Sequence, residues 1–262
     1  MTPPASAHPF PQAPREVGSP PQNGDLIAWL DTRMGLLLCR IETTGFWRAL
    51  TSPSVDHELL REMMKQLHLE LVSYQADSIQ GAITAIAHAS RSMPVKTVKM
   101  MLGSQADRFG VIDMALRDYV ALGGDEAYAR DEHRTSPAAF AVASLWKTVA
   151  DQRDPFAFLG ALYPVECLTP IVAQRLKEVL ERHGFPPTAM ESLEFLSDPE
   201  NDRTLSMKRL IQDTVFRDPG SERSLKEGLD RLLAVYPIPV WTTAHERAVA
   251  KWELKTFRRL AA

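Results

Sequence analysis

Glu166 sits in an apolar run, after Phe156, Ala157, Phe158, Leu159 and Leu162 and before Cys167 and Leu168. An ionised carboxylate in such company needs donors, a cation or a metal, which makes Glu166 a candidate site residue. The bland alternative is a glutamate on the solvated side of a curved helix, or one held by an arginine. Asp198 and Asp202 flank a helix start. There a carboxylate either caps free amides or serves as a hard oxygen ligand for iron, manganese or magnesium. Glu70, one turn from Gln66 and Tyr74, is placed to project inward from a long helix or to form a surface salt bridge. His68 reads as a surface or partly buried polar residue. Cys167 is a nucleophile only if a base and an activating environment reach it, and otherwise a packed thiol. Trp146, Tyr163 and Trp252 are either cavity-lining or core aromatics.

The elements that must position these groups are helical. Apolar residues recur at helical spacing from Leu26 to Leu50, over residues 56–88, and from Pro94 to the Gly123–Gly124 pair, with a core face of Val95, Val98, Met101, Leu102, Phe109, Ile112, Leu116 and Val120. Ser136–Pro137 and Asp154–Pro155 each open a helix. The second of these runs over residues 155–183, with a bend or interruption expected at Pro164 and Pro170. Shorter elements follow at 187–196 and 201–216, then a leucine-rich helix ending near Tyr236–Pro237. A last helix is opened by Thr243 and Glu246 as a capping box and carries Val249, Trp252, Leu254 and Phe257. Strand signals are weak, so a single all-α domain over residues 25–262 is expected behind a flexible proline-rich leader, 1–24.

The 262 residues are 45% hydrophobic, enough for a large core. With 30 Lys+Arg against 33 Asp+Glu, no net basic field holds a nucleic acid or an anionic membrane. No phosphate cradle and no paired metalloprotease histidines appear. No apolar run is read as reaching the ~20 residues of a membrane span, and no secretory leader is evident, so a cytoplasmic protein is expected.

Two segments carry a resemblance. Residues 105–124, which include Gln105, Asp107, Arg108, Asp113 and the ending Leu122, Gly123 and Gly124, resemble the second core helix of the heme-oxygenase-like superfamily. That superfamily includes non-heme diiron oxidases and oxygenases, thiaminase II proteins and pyrroloquinoline-quinone synthase. Leu162, Tyr163, Pro164, Val165 and Glu166 are similar to the segment bearing a glutamate ligand in diiron members, and the likeness spans residues 46–216. It implies a heme-oxygenase-like helical bundle with long curved or kinked helices. In diiron members the last ligand helix reads His, three residues, Asp, two residues, His. Here those positions are Asp198, Asp202 and Leu205, and no histidine occurs between His88 and His133.

The resemblance therefore implies an altered or degenerate metal site. In one reading the chain is a small-metabolite oxidase or oxygenase of a biosynthetic pathway. Glu166 and Asp202 then do the catalysis, and they hold iron together with Asp198, Glu70, Asp107 or Asp113. In the other it is a non-catalytic relative without a cofactor that binds a metabolite or a partner, as a homodimer or heteromer. Arg108 then fills the charge space of the metal and neutralises Glu166.

Overall fold

The computed structural model describes residues 26–106, 108–152, 154–198, 203–215 and 220–260. The leader 1–24 and the candidates Asp107 and Asp202 lie outside the described residues. Helices run in the order α1 (Leu26–Glu42), α2 (Gly45–Thr51), α3 (His57–Ala89), α4 (Val95–Ala106), α5 (Val111–Ala121), α6 (Pro137–Asp151), α7 (Pro155–Arg182), α8 (Glu191–Ser197), α9 (Arg203–Val215), α10 (Ser221–Val235) and α11 (Ile238–Leu260). A π-turn at Tyr128–Glu132 and a short 3-10 turn at Pro187–Ala189 complete the described elements.

Local chemistry accounts for most of the boundaries. Asp56 accepts from the amides of Glu58 and Leu59, Ser136 from Ala139, and Asp154 from Phe156 and Ala157, while Pro137 and Pro155 stand in first turns where no N–H is needed. Gly123 and Gly184 take the left-handed conformation, at φ 83° and 74°, that closes a helix. α7 keeps helical geometry through Pro164 and Pro170. Those prolines remove the N–H groups that would bond the carbonyls of Gly160 and Glu166.

Three expectations need correction. The single helix from Pro94 to Gly123 is two, because the chain leaves the helix after Ala106 and re-enters at Val111. The break resets the helical phase, so Met101 and Leu116 are buried while Val95, Leu102, Phe109 and Val120 are exposed. The last helix starts at Ile238, directly after Pro237 closes α10. Thr243 lies inside it and donates to the Pro239 carbonyl, and Leu254 and Phe257 stay exposed. Third, α7 is long and apolar enough to cross a membrane, yet 72% of its most apolar window is buried among its neighbours.

α3 and α7 form the centre of the bundle. α6, α5 and α11 pack along α3, and α10 and α8 along α7. The α7–α10 crossing depends on two glycines facing each other's backbone. A Cβ on Gly160 would lie 1.9 Å from the Leu225 carbonyl oxygen, and one on Gly228 1.9 Å from that of Ala157. Neither helix has room for a methyl group there without separating. Gly160→Ala and Gly228→Ala are each expected to lower the unfolding free energy by about 1–3 kcal/mol in urea titrations, although this exchange in an open helix gains ~1 kcal/mol. Variants as stable as the parent would show that the crossing has slack.

Candidate functional site

Arg108 occupies the break between α4 and α5. Its amide bonds the Gln105 carbonyl and its own carbonyl accepts from Val111, a turn that replaces the continuing helix. Its Nη2 donates to Glu166 Oε1 on α7 at 2.7 Å, with Arg108 7% and Glu166 1% exposed. Arg108 Nε and Glu166 Oε2 are buried without a hydrogen-bond partner. The pair is thus desolvated and only partly satisfied, an arrangement in which each charge requires the other.

Arg108 also forms part of the wall of an interior cavity of about 110 Å³. Leu71, Val142, Trp146, Leu168, Val172 and Trp241 supply much of the apolar surface. Tyr74 and Tyr236 meet edge to face at 6.0 Å on the same wall, and burial is the main cause of the upward pKa shift of both phenols. His68 is the correction of most consequence: it is 2% exposed and lines the cavity, not the surface. Neither of its ring nitrogens has a partner. Burial lowers its pKa below 6.5, opposed by the negative charge of Asp118, so the ring is neutral at neutral pH. The helical spacing of His68 with Leu71, Gln75 and Ser78, which share the wall, was the available signal.

Of the acidic candidates that the structure describes, Glu70, Asp113 and Asp198 do not converge on Glu166. Glu70 is fully buried, but it accepts from the Ser136 hydroxyl and from Arg247 Nη1 at 2.6 Å, linking α3 to the start of α6 and to α11. Burial raises its pKa, and Ser136 and Arg247 oppose the shift. Asp113 is exposed beside Arg117, Glu126 and Arg130. Asp198 is exposed at the end of α8. Among the described residues no group of three or more His, Cys, Asp or Glu is arranged to hold a metal ion. With Glu166 Oε1 engaged by a guanidinium, the described residues do not fit a diiron centre.

Asp118 was absent from the sequence candidates. Fully buried on α5, it accepts from the amides of Glu191 and Ser192 at 2.8 and 2.9 Å and so caps α8 from another helix. Nothing local to Asp118 marks that role. Cys167 is buried, and burial is the main cause of a thiol pKa of about 12, which keeps it from acting as a thiolate nucleophile. Tyr163 bonds Asp31 at 2.9 Å and Trp252 bonds Asp56 at 3.0 Å; of the three aromatics proposed for a cavity, only Trp146 lines this one.

Replacing Arg108 by Met strands the Glu166 carboxylate and is expected to cost about 3–5 kcal/mol in urea unfolding, whereas Arg108→Met with Glu166→Leu should recover most of that loss. A double variant no more stable than the single would remove the pair from its central place. Burial also lowers the pKa of His133, to about 4. Both histidines therefore bind protons more readily when unfolded, and their contribution to stability falls as pH drops below 6.5, for His133 down to about 4. Glu70, shifted upward, has the opposite sign as pH falls through its raised value. Urea midpoints against pH should slope less in His68→Phe than in the parent; an unchanged slope would show that His68 does not titrate as assigned.

No family model matches the chain, and no curated protein matches it either. Among solved structures it is similar to a domain of unknown function with a heme oxygenase-like fold from Shewanella denitrificans OS217. The TM-score is 0.69 and the identity 13%, over 91% of this chain and 96% of that one. The chain has the all-α, single-domain, heme-oxygenase-like fold.

Proposed function

We propose that this chain is a helical binding protein for a small, mainly apolar metabolite, with the Arg108–Glu166 pair standing where a diiron relative carries metal. The observation that carries this reading is that Arg108 lines an apolar cavity while its guanidinium takes up the glutamate that a metal would need. An interior built this way can bind and orient a guest, but its described residues offer neither a metal cluster nor an activated thiol. The oxidase reading requires Glu166 to be free as a ligand, and the geometry argues against it. A fold keeps its cavity when the chemistry grafted onto it is gone.

The test uses the full chain and toluene, an uncharged guest of a size suited to a cavity of about 110 Å³, followed by titration calorimetry. Saturable heat at roughly one toluene per chain is expected, and it should be lost when Ala173 on the cavity wall is replaced by Trp. After growth with added iron, metal analysis should find far less than one iron per chain. Near-stoichiometric iron that Glu166→Gln removes would instead return the chain to the oxidase reading.

A further inference from the structure

Away from the cavity, where α11 packs along α3, three ammonium groups surround one carboxylate. Lys65 Nζ and Lys255 Nζ each lie 3.5 Å from Glu62 Oε2. Lys251 Nζ lies 3.3 Å from Oε1, which also accepts from Gln66 at 2.8 Å. Burial pushes the Glu62 pKa up, but the lysines and Gln66 outweigh it and hold it below 4.5, so the carboxylate is charged at neutral pH. Among the described residues none of the three lysines has a second carboxylate within ion-pairing distance. The trio therefore keeps an unmatched positive charge of two. The overall charge of −3 hides this excess, because at ~0.15 M salt a surface charge is felt over only about 8 Å.

The cations are held and outward-facing. Lys65 lies over the Tyr119 ring and Lys251 over the Tyr128 ring, each nitrogen 5.8 Å from the ring centre. The side chains of Lys251 and Lys255 are 44% and 52% exposed and that of Glu62 only 4%, so an arriving ion meets the ammonium groups before the carboxylate. Because Lys65 and Lys255 share one carboxylate oxygen, their nitrogens are no more than about 7 Å apart, a gap that one tetrahedral oxyanion spans with two charge-assisted contacts of about 2.8 Å. The positive field reaches His133 as well: after burial, Arg247 and Lys251 are what push its pKa down to about 4. Arg247 itself is matched by Glu70 at 2.6 Å.

We infer that this seam is a binding site for the dianionic group of a phosphate monoester, held by Lys65, Lys251 and Lys255. Such a group brings nearly two negative charges at neutral pH and three acceptor oxygens, which answers both the excess of two and the number of ammonium donors. A carboxylate carries one charge and leaves a cation over.

Calorimetric titration of the full chain with inorganic phosphate at about pH 7.5 and constant ionic strength tests this. One saturable site per chain is expected, with acetate bound at least about tenfold more weakly. Lys255→Gln leaves Glu62 two cations and should weaken phosphate about tenfold or more, whereas Lys96→Met, at an 80% exposed lysine on α4, should leave it unchanged. Glycerol 3-phosphate and vesicles of phosphatidylcholine with phosphatidic acid separate the two sources of such a group. Displacement of phosphate by glycerol 3-phosphate without retention on the vesicles assigns a soluble ligand. Vesicle retention that disappears with Lys255→Gln assigns a lipid headgroup. The inference is overturned if phosphate gives no saturable heat, if acetate binds as tightly, if Lys255→Gln binds phosphate like the parent, or if neither source displaces it.

Discussion

A carboxylate that is 1% exposed in the middle of an apolar helix cannot keep its charge unaided, and Arg108 supplies the compensation at 2.7 Å from 58 residues upstream. It does so from the point where the chain leaves the helix between Ala106 and Val111. The break thus gives up a few helical hydrogen bonds and a continuous apolar stripe for one buried ion pair. It leaves Val95, Leu102 and Phe109 facing out. Pro170 adds to the same region, since it takes away the amide that would have bonded the Glu166 carbonyl.

Around this pair the bundle is drawn together by contacts of two kinds. Small residues allow close approach: Gly160 and Gly228 bring α7 and α10 into backbone contact, and Gly81 on α3 would place a Cβ 2.9 Å from the Trp146 carbonyl oxygen of α6. Buried acids bind distant elements. Glu70 reaches Ser136 and Arg247, and Asp118 holds the first amides of α8. Because these carboxylates are committed to structural partners, they are not at hand for a shared metal. The cavity left between α3 and α7 keeps its polarity in His68, the paired tyrosines and the arginine edge.

The all-helical order was largely legible because the signals are local, while the heme-oxygenase-like fold was read from the resemblance of residues 105–124 and 162–166. Asp56, Ser136 and Asp154 cap the helices that follow them within two or three residues, and prolines at first turns and glycines at ends work at the same range. The phase of residues 94–123 was not legible, since apolar residues on both sides of the break fit one stripe when it is drawn straight through. The burial of His68 was hidden for a related reason: polar residues are spread around α3, and periodicity alone does not say that Glu62, Gln66, His68 and Glu70 are among those turned inward.

By itself the sequence determined helix content, most helix ends and the presence of a glutamate that needed a counter-charge, all consequences of bonding and spacing within a few residues. Only the tertiary structure decided which groups meet. Arg108 lies 58 residues from Glu166 and Arg247 177 residues from Glu70, and their contact depends on helix crossings and rotational phase set by packing across the whole bundle.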